Sequence, residues 1–179
     1  MDSERIILGS GKLFCMTFTG AIPEDTEIET ENNQLAHIKG GASLEYNAET
    51  YTAKDDLGVV QKTKVTNEEA TLKAGLLTWC AKTLKKLCAT ARVTETAKKR
   101  TVKIGGIKNQ KDEKYLIRFL HEDDTDGDIR VTIVGKNEAG FSFTFAKDAE
   151  SILEPQFKAY PMDKEGTLII FDEEIIAEV

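Results

Sequence analysis

Two stretches of alternating apolar and polar residues, joined by a long charged segment, dominate the pattern of the chain. In residues 41–50 and again in residues 69–76, every second position is apolar or small. Strict alternation is the pattern of a strand with one buried face. The segment between them is too long for a tight hairpin turn, and loops of that length are commonly functional. The sequence therefore predicts two strands joined by a long charged loop, an assembly arm at about residues 51–68, and leaves open whether this arm is ordered before assembly.

A short helix is predicted after the second strand. Cys80, Leu84, Leu87 and Cys88 recur at helical spacing, and Thr78 is a plausible N-cap. Most of the remaining pattern is strand-like. Extended segments are predicted at residues 5–8, 12–18, 100–104, 114–120, 128–134, 140–146, 152–160 and 166–171. Of these, 100–104 and 114–120 are predicted to pair as a long-looped hairpin, 152–160 is interrupted by Pro155, and 22–33 is an acidic loop.

About eight strands and one helix predict a mainly β fold. The expected architecture is a β-sandwich or partial barrel of two packed antiparallel sheets, with one flanking α-helix and the long inter-strand arm. A chain of 179 residues fits one domain, residues 1–179, in which residues 1–11 and the arm are assembly extensions. Three cysteines among apolar neighbours indicate buried, reduced thiols and folding in a cytoplasm.

The sequence predicts neither a membrane span nor a signal peptide. No apolar run reaches the roughly 18 residues that a membrane helix needs. The N-terminus carries acidic residues and lacks a basic start followed by a long apolar run.

Charge is strongly segregated along the chain. The net charge is −7, yet residues 82–111 contain ten Lys or Arg residues and one acidic residue, a net +9, so the rest carries −16. Such runs are commonly solvated surface, but opposite patches also let identical copies dock. The residues proposed as inter-subunit charge patches are Lys82, Lys85, Lys86, Lys98, Lys99, Arg100, Glu24, Glu27, Glu29 and Glu31.

No catalytic or cofactor motif stands out, so the chain is predicted not to be an enzyme and to need no cofactor or metal. His37 and His121 have no nucleophile in a recognisable setting, and His121 is predicted as a solvated loop residue. Residues 124–128 (DTDGD) resemble the start of a calcium loop but lack its distal glutamate, which favours an Asp-Gly turn. The basic stretch contains no aromatic residue, which argues against nucleic-acid binding.

The chain resembles the major tail tube proteins of long-tailed bacteriophages, particularly those of phages and prophages of Gram-positive bacteria. The similarity spans nearly the whole chain, and the order of elements contributes more to it than any one motif. It is carried by residues 38–46 (IKGGASLEY), 53–58 (AKDDLG), 69–72 (EATL), 83–87 (TLKKL), 127–133 (GDIRVTI), 140–141 (GF) and 165–168 (EGTL).

The resemblance implies a structural subunit whose hexameric rings stack into a hollow tube that conducts DNA during ejection. An inner barrel of about 24 strands would have a backbone radius of roughly 24 Å, wide enough for duplex DNA. The residues expected on the lumen face are Ser43, Glu45, Asn47, Glu49, Thr71, Lys73, Arg130, Thr132, Ser142 and Thr144. Those expected in the ring-stacking arm are Lys54, Asp55, Asp56, Leu57, Val59, Val60, Lys62 and Lys64.

The same resemblance implies the partners and the location. The expected partners are further copies of the chain, a tape-measure protein, tail-tip and terminator proteins, a sheath in contractile tails, and double-stranded DNA in transit without sequence recognition. The expected location is the virion tail, assembled in the bacterial cytoplasm, without membrane insertion by this chain. Three alternatives stay open: a β-sandwich module that binds a polymer or small ligand, the inner tube of a contractile tailocin or secretion machine, and, third, a basic nucleic-acid-binding domain.

Overall fold

The computed structural model describes Ile7 and residues 9–176 of the chain. Apart from Ile7, the predicted segment 5–8 therefore lies outside the described residues, as does most of the predicted N-terminal extension. The fold is mainly β, as predicted. The strands are β1 Lys12–Thr17, β2 Gln34–Ala36, β3 Ile38–Lys54, β4 Gln61–Leu76, β5 Arg92–Thr96, β6 Lys99–Lys103, β7 Tyr115–His121, β8 Ile129–Asn137, β9 Gln156–Ala159 and β10 Ile169–Glu173.

Eight of these strands form one antiparallel sheet in the order β2-β1-β7-β8-β9-β4-β3, with β10 also paired to β8. Residues from both ends of this order, such as Leu13 of β1 and Leu72 of β4, belong to one buried core cluster. The large sheet therefore curls around its own core, and a separate two-stranded ribbon, β5–β6, accompanies it. The alternation predicted for residues 69–76 is confirmed, because Ala70, Ala74 and Leu76 are buried along with Leu72.

The predicted flanking helix is α2, Ala81–Leu87. Its buried face is formed by Thr83, Leu84 and Leu87, which pack on the main core. The N-cap is Cys80 rather than the predicted Thr78, because Cys80 and Thr83 form a reciprocal capping box. The Thr78 hydroxyl instead accepts a hydrogen bond of 2.9 Å from the His37 backbone N–H.

A second helix, α1 Asp25–Ile28, lies in the segment predicted as a loop. Ile28 is fully buried and packs with Phe14, Leu116 and Leu120 on the side of the sheet opposite the main core. The helix is only four residues long. A sequence this short shows too little periodicity to predict a helix. Among the described residues there is also a 3-10 helix, Ile107–Asn109.

Three strand predictions need correction. The segment 100–104 does not pair with 114–120, since β6 pairs with β5 while β7 lies between β1 and β8. Residues 140–146 lie outside every described strand, because the rings of Phe141, Phe143 and Trp79 cluster together and no neighbouring strand edge meets their backbone. Pro155 does interrupt its segment, but β9, which follows it, is internal to the sheet.

Gly135 lies where the strand paired with one edge of β8 changes from β10 to β9. On one edge of β8, β10 pairs with its first half and β9 with its last residues. A side chain at Gly135 would place its Cβ 2.2 Å from the carbonyl oxygen of Lys158. Glycine is therefore required for β9 to approach β8 this closely.

Candidate assembly surfaces

The predicted arm is a long β-ribbon rather than a long loop. β3 and β4 stay paired from Ala42↔Ala74 to Lys54↔Gln61, and only residues 55–60 form the loop. Threonine, tyrosine and valine are frequent in both halves of the arm, and these residue types favour strands. The arm was predicted as a loop between two separate strands, but both strands continue into it as a paired ribbon, and its residues are exposed.

The end of the ribbon is closed by Asp55. Its backbone N–H donates to the Val60 carbonyl at 3.0 Å, and its carboxylate accepts a hydrogen bond of 2.8 Å from the Val60 N–H. Gly58 adopts a positive φ of 69°, and its N–H donates to the Asp55 carbonyl at 3.0 Å. Below this turn, the hydroxyls of Thr52 and Thr63 lie 2.8 Å apart across the ribbon. The tip is thus held in a defined shape.

The arm is exposed on both faces and carries apolar side chains. Every residue from 43 to 69 is exposed except Thr52, which is half-buried. At the tip, Leu57 is 86% exposed, Val59 79% and Val60 68%. Exposed apolar groups clustered at the end of a projection commonly mark a site of protein contact. The remaining predicted arm residues, Lys54, Asp55, Asp56, Lys62 and Lys64, surround them as exposed charges.

Six of the ten predicted lumen residues share one accessible face. Cross-strand pairing of Ser43 with Lys73 and of Glu45 with Thr71 places them on the same side of β3–β4 as Asn47 and Glu49, opposite the core. Neighbours from β4 and β9, which the sequence reading missed, extend this face. They are Glu69, Gln156 and Lys158. We call these nine residues the polar face.

The charges on the polar face are largely paired with each other. Lys73 Nζ lies 2.7 Å from Glu45 Oε1, and Lys158 Nζ lies 3.2 Å from Glu69 Oε1. Exposed ion pairs of this kind contribute little to stability. They leave the surface hydrophilic but neither strongly acidic nor strongly basic.

The prediction that Arg130 and Thr132 line the same accessible surface is wrong. Their position in β8 does put them on the polar side of the sheet, but α1 covers this part of it. Thr132 is fully buried, and the Arg130 guanidinium hydrogen-bonds Glu29 at 2.7 Å and Asp128 at 3.1 Å. Hydrogen bonding to Glu29 raises the pKa of Arg130. These two residues therefore hold the protein's own helix in place.

Glu29 is likewise unavailable as a contact between subunits. Besides binding Arg130, its carboxylate lies 3.2 Å from the buried guanidinium of Arg118, which also pairs with Asp25. The other acidic residues predicted for this patch, Glu24, Glu27 and Glu31, are exposed.

Most of the predicted basic patch is exposed: Lys82, Lys85, Lys98, Lys99 and Arg100. Arg100 pairs with Glu95 at 2.7 Å, and this hydrogen bond together with the Arg100 charge lowers the pKa of Glu95. Lys86 differs from the prediction, because its ammonium donates a hydrogen bond to the Cys15 carbonyl of β1 and is half-buried.

Ser142 and Thr144 are exposed, but not on a lumen-facing strand. The aromatic residues beside them form a cluster around Phe143, whose ring centroid lies 4.5 Å from that of Trp79, 5.0 Å from that of Phe141 and 5.9 Å from that of Phe145. Phe141 and Phe143 pack against the main core, while Phe145 is exposed. The alternation in this segment therefore reflects ring packing rather than strand pairing.

His121 and the acidic motif at residues 124–128, considered above as candidate chemical sites, both take part in the protein's own structure. His121 is buried, contrary to prediction, and its Nδ1 lies 2.8 Å from the Ser10 carbonyl oxygen. Asp123 accepts hydrogen bonds from the backbone of Thr125 and Asp126, which forms the predicted turn before β8. Across Ile7 and residues 9–176, no cluster of three or more His, Cys, Asp or Glu side chains is placed to hold a metal ion.

In the part of the chain that the structure describes, no helix has the length and apolarity needed to cross a membrane. No protein-family model matches the chain, and a search of curated proteins returned no match.

Proposed function

We propose that this chain is the structural, non-catalytic subunit of a phage tail tube, in which hexameric rings stack into a hollow tube that conducts DNA. The observation that carries the proposal is the β3–β4 arm, exposed along both faces and ending in Leu57, Val59 and Val60. An isolated two-stranded ribbon is at best marginally stable in water. A neighbouring copy that covered the arm would stabilise it and remove its apolar tip from water.

A second feature that supports assembly is the outer edge of β3. Within the described residues, β3 is the last strand of the large sheet, so its outer backbone groups have no strand beside them. Long exposed edges invite pairing with another chain, and soluble monomers usually protect them. Here the edge adjoins the exposed side chains of Leu44, Tyr46 and Tyr51. A head-to-tail contact at this edge, repeated around a rotation axis, closes a ring.

The polar face suits the wall of a channel for DNA. It combines Ser43, Asn47 and Thr71 with the ion pairs Lys73–Glu45 and Lys158–Glu69. Binding to phosphates requires cations that release counterions, and here the cations are already matched by carboxylates. DNA would therefore pass along this surface without being held by it.

Tube assembly would also determine the location and the partners of the chain. The tube would form in the bacterial cytoplasm and end in the virion, around a tape-measure protein and between tail-tip and terminator proteins. A sheath would be a further partner in a contractile tail, tailocin or secretion machine. Double-stranded DNA would be a passenger without sequence recognition.

The experiment replaces residues 51–64 with Asn-Gly. This joins Thr50 directly to Val65, its partner in the ladder, through a two-residue turn that hairpins favour. We expect the shortened protein to retain its circular dichroism spectrum and thermal unfolding, but to lose the concentration-dependent increase in light scattering shown by the unaltered chain. Equal polymerisation of both proteins would refute the role of the arm.

The aromatic cluster favours a second candidate function, a β-sandwich binding module. Trp79 and Phe145 contact the central Phe143 and are both exposed, and exposed rings can stack on a ligand. A monomer at millimolar concentration whose tryptophan fluorescence responds to a screened polymer or small ligand would favour this function over the tube.

A further inference from the structure

The strand register collects acidic residues at one end of the large sheet. His121 at the end of β7 pairs with Ile129 at the start of β8, and Ile129 also pairs with Glu173 near the end of β10. The β7–β8 turn, residues 122–128, and residues 172–174 therefore lie together. These two segments contain eight acidic residues and no Lys or Arg, a charge of −8. We call them the acidic end.

Basic residues collect at the opposite end of the same strands. The Lys111 N–H donates to the Ala89 carbonyl at 3.1 Å, and the Asn137 side chain donates to the Leu87 carbonyl at 3.1 Å. These contacts join the end of α2 and the segment before β7 to the end of β8. Residues 82–114, the basic end, contain eleven Lys or Arg and three acidic residues, a charge of +8.

The few acidic residues within the basic end are matched there. Glu95 pairs with Arg100 at 2.7 Å, and Asp112 pairs with Lys136 at 2.9 Å. The seven residues of β7 separate the two ends by about 20 Å, which exceeds the Debye length of about 8 Å at physiological salt. The two ends of one molecule are therefore electrostatically independent. At the acidic end, Glu122 pairs with Lys12 at 2.7 Å and Asp128 with Arg130 at 3.1 Å, so the excess negative charge there is smaller than the residue count, but each end keeps an excess of its own sign.

The arm leaves the sheet on the side of the acidic end. β9 is antiparallel to both β8 and β4, so β8 and β4 run in the same direction. The start of β8 lies at the acidic end, and the start of β4 is the part that forms the arm. From Glu69 to the tip the ribbon extends about 30 Å. The arm of one molecule would thus reach the same neighbour that its acidic end faces.

We infer that copies of this chain stack head to tail, with the acidic end and arm of one copy against the basic end of the next. The inference rests on the proposed tube function. In it, the acidic end takes the place of residues 24–31, the acidic segment that was expected to face the basic residues. Its occupant is a second copy because this chain itself supplies two ends with excess charge of opposite sign. Head-to-head stacking would place like charges together, so the same charges also give the tube its direction.

The test reverses charges at the acidic end with Asp124→Lys and Asp172→Lys. A matched control, Glu24→Lys with Glu27→Lys, makes the same change in net charge on the segment that holds α1. Self-association is measured by sedimentation velocity at 50 mM and 500 mM salt, with electron microscopy of the same samples. We expect the acidic-end variant to need roughly tenfold more protein to associate, and the control to behave as the unaltered chain.

A complementary variant tests whether misfolding, rather than the altered charge, causes the weaker association. Lys108→Glu with Lys111→Glu replaces two positive charges at the basic end with negative ones, and both lysines are exposed. Each variant alone should associate weakly, whereas an equimolar mixture should form mixed pairs at the concentration at which the unaltered chain associates, because each mixed pair joins an intact acidic end to an intact basic end. Restored association in the mixture supports the inference; a mixture as weak as its components overturns it.

The outcomes separate this inference from the proposed function. Salt-sensitive association that depends on Asp124 and Asp172 but never yields rings or tubes supports the stacking contact and contradicts the tube. Tubes that form equally well from the acidic-end variant support the tube and overturn the stacking contact. A chain that stays monomeric at both salt concentrations, even after a preformed tail tip is added as a seed, contradicts both.

Discussion

The Arg118 guanidinium donates a hydrogen bond of 2.9 Å from Nε to the hydroxyl of Thr132, and both side chains are buried, at 3% and 0% exposure. The other side of this guanidinium binds Asp25 and Glu29 beside α1. Two neighbouring strands are thereby tied to a segment about 90 residues away in the chain. On this side of the large sheet, α1 thus covers the half formed by β7 and β8, while the half formed by β9, β4 and β3 is uncovered.

Thr132→Val tests this arrangement. The substitution keeps the shape of the side chain but removes the only acceptor that Arg118 Nε has among the described residues. A buried donor left without a partner costs about 1–3 kcal/mol. We expect the free energy of unfolding, measured by urea denaturation, to fall by that amount.

The matched control is Thr71→Val, which lies on the same side of the sheet in its uncovered half. Surface substitutions of this kind usually change stability by less than about 0.5 kcal/mol. An equal loss from both variants would show that the hydroxyl of Thr132 has no special role beneath α1.

Substituting Leu57, Val59 and Val60 together with serine should prevent assembly without unfolding the protein. The three side chains are among the most exposed apolar groups, so the isolated subunit loses little when they are removed. Their burial against a neighbour would contribute about 1.5–3 kcal/mol each. Light scattering would show a higher concentration for polymerisation, while Thr63→Ser, on the same ribbon, would leave that concentration unchanged. Unaltered polymerisation of the triple variant would exclude the tip from the contact.

The polar face should become enclosed when the protein polymerises. In a Cys80→Ser background, Asn47→Cys places a thiol on this face. We expect a small maleimide to label it in subunits and in tubes, whereas a maleimide on a large polymer labels only subunits. Mass spectrometry reads both reactions. Fast labelling of tubes by the large reagent would place the polar face outside.

The three cysteines should differ in their reaction with iodoacetamide. Partial burial acts to raise the pKa of Cys80, but hydrogen bonds from Thr83 and the nearby Arg100 charge outweigh it, so this pKa is lowered. Burial raises the pKa of Cys88, and raises that of Cys15 to about 12. Because thiolates react, Cys80 should be alkylated first between pH 7 and 9. Faster alkylation of Cys15 in the folded protein would contradict its burial.

The same shift predicts how Cys15 affects stability with pH. Its folded pKa of about 12 exceeds the value near 8.5 expected in the unfolded chain, so only the unfolded state loses the proton between these values. The contribution to stability is therefore complete below pH 8.5 and declines as pH rises toward 12. The fall in unfolding free energy from pH 8 to 10 should be smaller in Cys15→Val, and an identical fall would refute the assignment.

The sequence predicted those features that one strand can reveal by itself. Alternation from Ala70 to Leu76 identified a buried face, and the same logic placed Ser43 and Glu45 on the opposite side, because both depend only on neighbours within a strand. The cover over Thr132 could not be predicted in this way. It depends on Arg118 pairing with Asp25 and Glu29, two acidic residues whose local sequence is equally typical of a solvated loop.

The predictions for residues 141–145 and for the arm were wrong in opposite directions. The alternating phenylalanines predicted a strand, but alternation reports which side chains are buried and not whether a backbone partner exists. In the arm, charged residues predicted a loop, although cross-strand contacts such as Thr52 with Thr63 hold a ribbon in water. Both outcomes depend on partners that lie outside the local pattern.

Negative-stain electron microscopy of the purified, unaltered chain at high concentration tests the central claim most directly. The account predicts hollow tubes or rings with six-fold end views and an open channel, wide enough for a DNA duplex. Particles that stay monomeric even after a preformed tail tip is added as a seed would contradict it and favour the binding module.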